Sequence, residues 1–363
     1  MAAKRSFDPM IFSLVLLLSA GGLLMVYSAS AVISQRQFGH PYHFLQRQLI
    51  ALILGMLCMV GLMRIDYRWL NRPWLARVLY VAALVLLVAA LASAPVNGTH
   101  RWVRLLGFSF QPSELMKVGL LLFMADLLAR RHDEIQELKG PVLGCLIATG
   151  VAVALVALQP DLGTALAIAM VGLSVLFAAG LKWRFILVPV LVVAIAGGAM
   201  VLTNEYQLKR IVTFLNPGGD PEGAGYQVRQ SVLAVASGGM MGQGLGEGGQ
   251  KLFFLPYPHT DFIFSNIGEE LGLLGTLSVV TAFLLLMARG LRAAARAPNL
   301  HLSLVACGVT VLLVGQAFIN MGVCLEMLPA KGLPLPFISY GGSSLLMSCV
   351  ASGLLLNTSQ YGS

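Results

Sequence analysis

Residues 10–26 read MIFSLVLLLSAGGLLMV, a run from Met10 to Val26 without one charged side chain. At 1.5 Å of rise per residue, this run and its flanks, to about residue 33, cover the roughly 30 Å of hydrocarbon in a bilayer as one helix. Comparable apolar stretches follow near 45–63, 74–94, 113–129, 141–158, 162–180, 185–203, 264–288, 301–320 and 340–357. None has the period-two alternation of a membrane barrel strand, and only a helix satisfies every backbone group within one segment in lipid. The expected fold is an all-α polytopic integral membrane protein of about ten spans, a single domain over 1–363. The small residues Ser28-Ala29-Ser30-Ala31 imitate a signal-peptidase site. The run before them exceeds the usual apolar core of about 7–15 residues, so an uncleaved first span is expected.

Composition agrees. Of 363 residues, 57% are hydrophobic and 11% charged, under half the charged share of a soluble domain. A net charge of +8 raises the question of nucleic acid, but no Lys/Arg run is interleaved with stacking aromatics, so none is expected as a partner. Cys58, Cys145, Cys307 and Cys349 lie in apolar runs without metal-ligand spacing and read as small core residues.

Placing the N-terminus on the cytoplasmic side puts fourteen of the twenty-four Lys and Arg residues in short inner connections, as the positive-inside rule requires. Both termini are then cytoplasmic. Most of the remaining ten basic residues cluster in or beside three outer segments, which makes an anionic ligand on that face an expectation. The first, 95–114, is too polar to span and is expected to lie along the interface on Trp102, Phe108 and Phe110. The second, about 203–260, is the one long loop, between the seventh and eighth spans, with a short helix expected over Tyr226–Ala236. The third, 321–342, carries Pro329, Pro334, Pro336 and the pair Gly341-Gly342, and is expected to be re-entrant and to line a cavity.

Several motifs invite more than one reading. Gly244 to Gly249 matches GxGxxG, but no strand precedes it and no βαβ unit follows, so an adaptable loop is expected rather than a dinucleotide site. Asp261 opens an apolar helix from the outer side: it either caps that helix or does chemistry, since acids at membrane depth are functional by default. Glu269 and Glu270 lie about two turns deeper and suit bonds to a neighbouring helix. Asp161 follows Gln159-Pro160 at a break between two short spans and suits a structural kink. Lys117 stands three residues after Glu114, so it either pairs across one turn or binds a ligand. Lys331 has only Glu326 nearby in sequence, which favours a ligand anion, and His259 is either a base or a loop hydrogen bonder.

Taken in order, MVYSAS (25–30), NGTHRW (97–102), FQPSELMK (110–117), LQPDLGTAL (158–166), GYQVRQS (225–231, holding Gln227), HTDFIFSNIGEELG (259–272), QAFINMGV (316–323) and LPAKGLPLPFISYGGSS (328–344) resemble the SEDS family of bacterial cell-wall proteins. INMGV followed by the segment holding Lys331 is most similar to its FtsW division branch, with RodA as the sister branch. Two departures stand out. Pro256-Tyr257-Pro258 replaces a usual Pro-Glu, and His100 stands where many members have a second basic residue before Arg101.

The resemblance implies a glycosyltransferase that polymerises peptidoglycan strands from lipid II by inverting transfer, releasing undecaprenyl pyrophosphate on the periplasmic face of the cytoplasmic membrane, at the division septum. It implies Asp261 as the catalytic acid–base residue. The leaving pyrophosphate needs cations, for which Arg101, Lys117, Arg210 and Lys331 are candidates, with His259 as a further contact. Glu114, Asp161, Gln227, Glu269 and Glu270 are cavity or structural candidates. A divalent cation such as Mg or Mn could assist departure, although no ligand cluster is visible in the sequence. Implied partners are lipid II, the growing strand, membrane lipid, a class B penicillin-binding protein transpeptidase and other divisome proteins. The competing readings are a lipid II flippase, a RodA-type elongation polymerase and a non-enzymatic scaffold.

Overall fold

The computed structural model describes residues 6–93, 99–105, 108–136, 139–203, 205–215, 224–249, 259–329 and 332–361. Among these the fold is helical: α1 (Pro9–Phe38), α2 (His43–Arg64), α3 (Tyr67–Leu70), α4 (Pro73–Leu91), α5 (Pro112–Arg130), α6 (Pro141–Ala157), α7 (Leu162–Ala178), α8 (Trp183–Thr203), α9 (Glu205–Leu215), α10 (Ala224–Ser237), α11 (Ile263–Ala295), α12 (Leu300–Cys324) and α13 (Gly342–Ser359). Five described helices, α1, α2, α4, α11 and α12, are long and apolar enough to cross a membrane. The α6 and α7 helices are apolar but shorter. Helix α5 carries Glu114, Lys117, Asp126 and Arg130, which dilute its apolar signal.

The surface is oily and the interior partly polar. Leu17, Leu24, Leu57, Val85, Phe177 and Trp183 are exposed, whereas Glu114, Lys117, Asp161, Glu269 and Glu270 are buried. In water such apolar coverage would drive association; in a bilayer it is the solvated face.

Helix α2 lies along α13, where small residues permit close approach. A Cβ on Gly353 would meet the Met59 Cα at 3.0 Å, and one on Gly55 the Cys349 Sγ at 2.9 Å. One end of the bundle is laced by Asp8, which caps α1 through Met10 N at 2.9 Å and takes Arg289 of α11 at 2.6 Å. There Asn357 also donates to the Leu62 and Ile65 carbonyls. At the opposite end Gln48 of α2 donates to Ser339 O at 3.0 Å and accepts from Gly341 N at 3.2 Å, fixing the segment that leads into α13.

Three features depart from the sequence expectation. Strand β1 (Val103–Leu105) pairs antiparallel with β2 (Phe108–Phe110), because apolar and polar residues alternate in each. The stretch expected as one long loop, about 203–260, contains α9 as well as the expected short helix, which is α10. Helix α11 runs past 288 to Ala295 and is broken at Gly272, whose φ is 65° and ψ −158°.

Candidate active site

The tripeptide His259-Thr260-Asp261 is held by its backbone. Asn320 Nδ2 of α12 donates to Asp261 O and to Leu333 O, each at 2.7 Å. Ser339 Oγ donates to Thr260 O at 2.7 Å, and Tyr340 N donates to His259 O at 2.9 Å. Gly332 fits against the carboxylate, since a Cβ there would lie 3.0 Å from Asp261 Oδ2. The N-cap of α11 is Phe262 without a side-chain cap bond, so Asp261 is not the cap of that helix.

The Asp261 side chain is half-buried. Burial pushes its carboxyl up to about 6; Arg210 pulls it back, Asp161 raises it further and Arg101 lowers it. Two cations and a second carboxylate thus face it from α9, the turn before α7 and the segment before β1. That is an anion-tolerant charge environment with a carboxylate poised near neutrality.

Asp161 is fixed first by its own helix: its oxygens accept from Thr164 N at 3.1 Å and Thr164 Oγ1 at 2.9 Å. Gln111 Nε2 reaches it at 3.4 Å and the Arg101 guanidinium at 3.6 Å. Arg101 also donates to Pro160 O at 2.6 Å, so this turn carries the arginine as well as ending α6. Lys117, buried on α5, donates to Glu114 Oε1 and Gln316 Oε1, both at 2.8 Å, and Gln316 Nε2 donates to Pro334 O at 2.8 Å. This chain ties α5 through α12 to the segment above Asp261. Lys117 is here a paired interior cation, one of the two readings open in the sequence.

Burial depresses His259 to about 4, leaving a neutral ring that packs on Phe44 at 4.6 Å and Tyr340 at 5.5 Å. Both oxygens of Glu270 lie 2.7 Å from Ser28 Oγ of α1, and one accepts from Gly246 N at 3.0 Å. Glu269 is buried beside it, against Gly248. Gln227 is half-buried on α10, whose Ser231 bonds Ser265 of α11 and donates to Cys324 O at 2.7 Å. Lys331 lies outside the described residues, although Gly332 and Leu333 beside it touch the clamp. No group of three or more His, Cys, Asp or Glu side chains able to hold a metal gathers among the described residues.

Sequence reasoning missed the clamp residues Asn320, Gln316 and Ser339. The available signal was Gln316 and Asn320, four apart on one face of the apolar second half of α12. Asn320→Ala is expected to strand the buried Leu333 carbonyl and to leave the Asp261 carbonyl only the Cys324 thiol at 3.5 Å, lowering stability by about 1–3 kcal/mol and slowing turnover, because Asp261 loses its main anchor. Thermal denaturation in detergent beside a rate measurement checks this; an unchanged melting temperature and rate would discard the clamp.

A profile of the FtsW/RodA/SpoVE family, described as cell cycle protein, matches residues 8–363. Similar curated proteins include the probable peptidoglycan glycosyltransferase FtsW of Trichlorobacter lovleyi, 42% identical over 97% of this chain and 93% of that protein. The stage V sporulation protein E of Bacillus subtilis is 39% identical over 99% of this chain and 98% of its own. Among solved structures, one reported as structural coordination of polymerization and crosslinking by a peptidoglycan synthase complex superposes with TM-score 0.79 at 32% identity, over 97% of both chains. The rod shape determining protein RodA of Thermus thermophilus superposes with TM-score 0.71 at 31% identity, over 97% of this chain and 96% of that one.

Proposed function

The chain belongs to the FtsW/RodA/SpoVE family of cell cycle proteins, and from that premise we propose that Asp261 is its catalytic base. The protein is a peptidoglycan glycosyltransferase that polymerises lipid II in septal wall synthesis. The observation that carries the assignment to Asp261 is a half-buried carboxylate, clamped through its backbone and faced by Arg210 and Arg101.

In the reaction, Asp261 takes the proton from the acceptor sugar's 4-hydroxyl as that oxygen attacks the donor's anomeric carbon. The new C–O bond forms opposite the departing one, so the anomeric centre inverts. Electrons of the broken bond leave on undecaprenyl pyrophosphate, whose charge Arg101, Arg210 and Lys331 would offset. Lys117 and Glu114 serve this site by holding α5 to α12. Ten of the helices span the membrane in this reading, with both termini cytoplasmic and the loop over 203–260 on the periplasmic face. The isoprenoid tails lie in lipid beside the bundle. A class B penicillin-binding protein transpeptidase cross-links the strand, with further divisome proteins at the septum.

Purified protein given labelled lipid II, with and without its cognate transpeptidase, tests the reading: glycan strands are expected. Failure of folded protein to make strands in either case would withdraw it. Within the same assay, Lys331→Ala is expected to cut turnover by tenfold or more, about 1.4 kcal/mol or above in transition-state stabilisation, at unchanged protein level. Equal rates would remove Lys331 from the pyrophosphate site.

A further inference from the structure

Several buried hydroxyls in this bundle turn back on their own helix. Ser30, Thr310 and Ser352 each donate to the carbonyl four residues earlier, at 2.6, 2.7 and 2.8 Å. Ser231, wholly buried on α10, reaches out of its helix instead. Its single proton goes to Cys324 O at 2.7 Å, so the bond it shares with Ser265 Oγ takes its proton from Ser265. Cys324 is the last residue of α12, where a carbonyl has no partner within its own helix. Ser265 stands in the first turn of α11. One hydroxyl thus joins three helices.

Asp261 sits between two of them. Its carbonyl accepts from Asn320 Nδ2 at 2.7 Å and from the Cys324 thiol at 3.5 Å, both on the end of α12. Four residues on, Ser265 ties α11 to that same end through Ser231. The α10 helix is seated closely enough to serve as the bridge. Val228, Ser231 and Ala234, three apart, are buried along one side of it, and Ser231 is the polar one. A Cβ on Gly268 of α11 would meet Val235 Cγ2 at 2.9 Å, and one on Gly238, just past α10, would meet Glu269 O at 2.9 Å.

We infer that Ser231 is a positioning residue for Asp261: its hydroxyl locks the start of α11 to the end of α12 and so fixes where the carboxylate stands. The inference rests on the reading of Asp261 as the base. A hydroxyl that only satisfied the Cys324 carbonyl would support stability and leave the catalytic loop alone. The bond from Ser265 carries the effect to that loop, and without it the first turn of α11 shifts against α12 and lets water reach the carboxylate.

The test uses the full-length protein in liposomes with its transpeptidase and labelled lipid II. It compares wild type, Ser231→Ala, Ser265→Ala, the double variant, Asp261→Asn and Val228→Ala, which thins the packing of α10 without removing a hydrogen bond. Each serine variant is expected to lower kcat about tenfold with KM held within about twofold, and the double variant to fall no further than the single ones. A second readout needs no turnover. Dicyclohexylcarbodiimide couples to carboxyls in their protonated form, so mass spectrometry of the Asp261 peptide across pH gives the midpoint of that group. Arg210, Arg101, Asp161 and the Cys324 thiol face it and are kept in every variant, so a moved midpoint reports a moved carboxylate. The midpoint is expected to fall by about 0.5 in pH or more in the serine variants, as burial is lost, and to stay in place in Val228→Ala. An unmoved midpoint in both serine variants overturns the inference, and so does an equal shift in Val228→Ala, since packing alone would then set the carboxylate. If Ser231→Ala yields no folded protein, Ser265→Ala, which keeps the bond to Cys324, decides in the same way; loss of folded protein in both makes the bonds structural and overturns it. Turnover retained in Asp261→Asn withdraws the base while the midpoint still judges Ser231; with Asp261→Asn inactive, wild-type kcat in both serine variants overturns the positioning role alone.

Discussion

Asp261→Asn is expected to fold and insert at wild-type level yet to polymerise labelled lipid II at least about a hundredfold more slowly, the lower end of what a positioned general base contributes. The exchange keeps size and polarity, and every bond that holds the loop goes to a backbone carbonyl, which the amide retains. Loss of rate without loss of protein would therefore report the proton acceptor alone. The wild-type pH profile gives an independent reading. Burial raises the Asp261 carboxyl from 3.8 to about 6, so the base form predominates at neutral pH and disappears as pH falls through about 6. The kcat/KM is thus expected to drop tenfold per unit on the acid side of that point, while His259, depressed to about 4, is already neutral there. Wild-type turnover in Asp261→Asn, or a flat profile between about pH 5 and 7, would remove Asp261 from the role of base.

The sequence carried the fold class because composition and apolar run length are local quantities that the bilayer forces into helices. It also held the Lys117–Glu114 pair as one of two open readings, and a short helix over Tyr226–Ala236 where α10 runs Ala224–Ser237. The β1–β2 pair escaped because its alternation lasts only three residues a side. The clamp around Asp261 escaped for another reason: Asn320 lies 59 residues from Asp261, and no spacing rule links them. The adaptable loop expected over Gly244 to Gly249 is mixed in the structure: Gly244 N donates to Glu270 O and Gly248 packs on Glu269 and Glu270 of α11, while a Cβ on Gly246 or Gly249 would meet open space. Absence of a side chain signals freedom and close approach equally, and only the neighbour decides which.

That ambiguity sets up the second large effect. Gly272 sits at φ 65° and ψ −158°, a region open essentially to glycine alone, and it breaks α11 so that segment 238–246 can dock there. On one side of the break, Gln243 N and Gly244 N donate to the Glu269 and Glu270 carbonyls at 2.9 and 3.1 Å. On the other, Leu273 N donates to Gly239 O at 2.9 Å. The docked segment replaces the helix's own ladder, so the break leaves few backbone groups unmet in the bundle. A Cβ at 272 would collide with Gly242 N and meet Met240 O at 2.7 Å. Gly272→Ala thus combines backbone strain with overpacking, together roughly 2–6 kcal/mol, enough to threaten a marginally stable fold. The variant is expected to lose most of its folded yield in detergent, or to melt well below wild type. Gly249→Ala, where a Cβ meets open space, is expected to be neutral. Equal melting of Gly272→Ala and wild type would mean that α11 can run straight through, and that segment 238–246 is not pinned at the break.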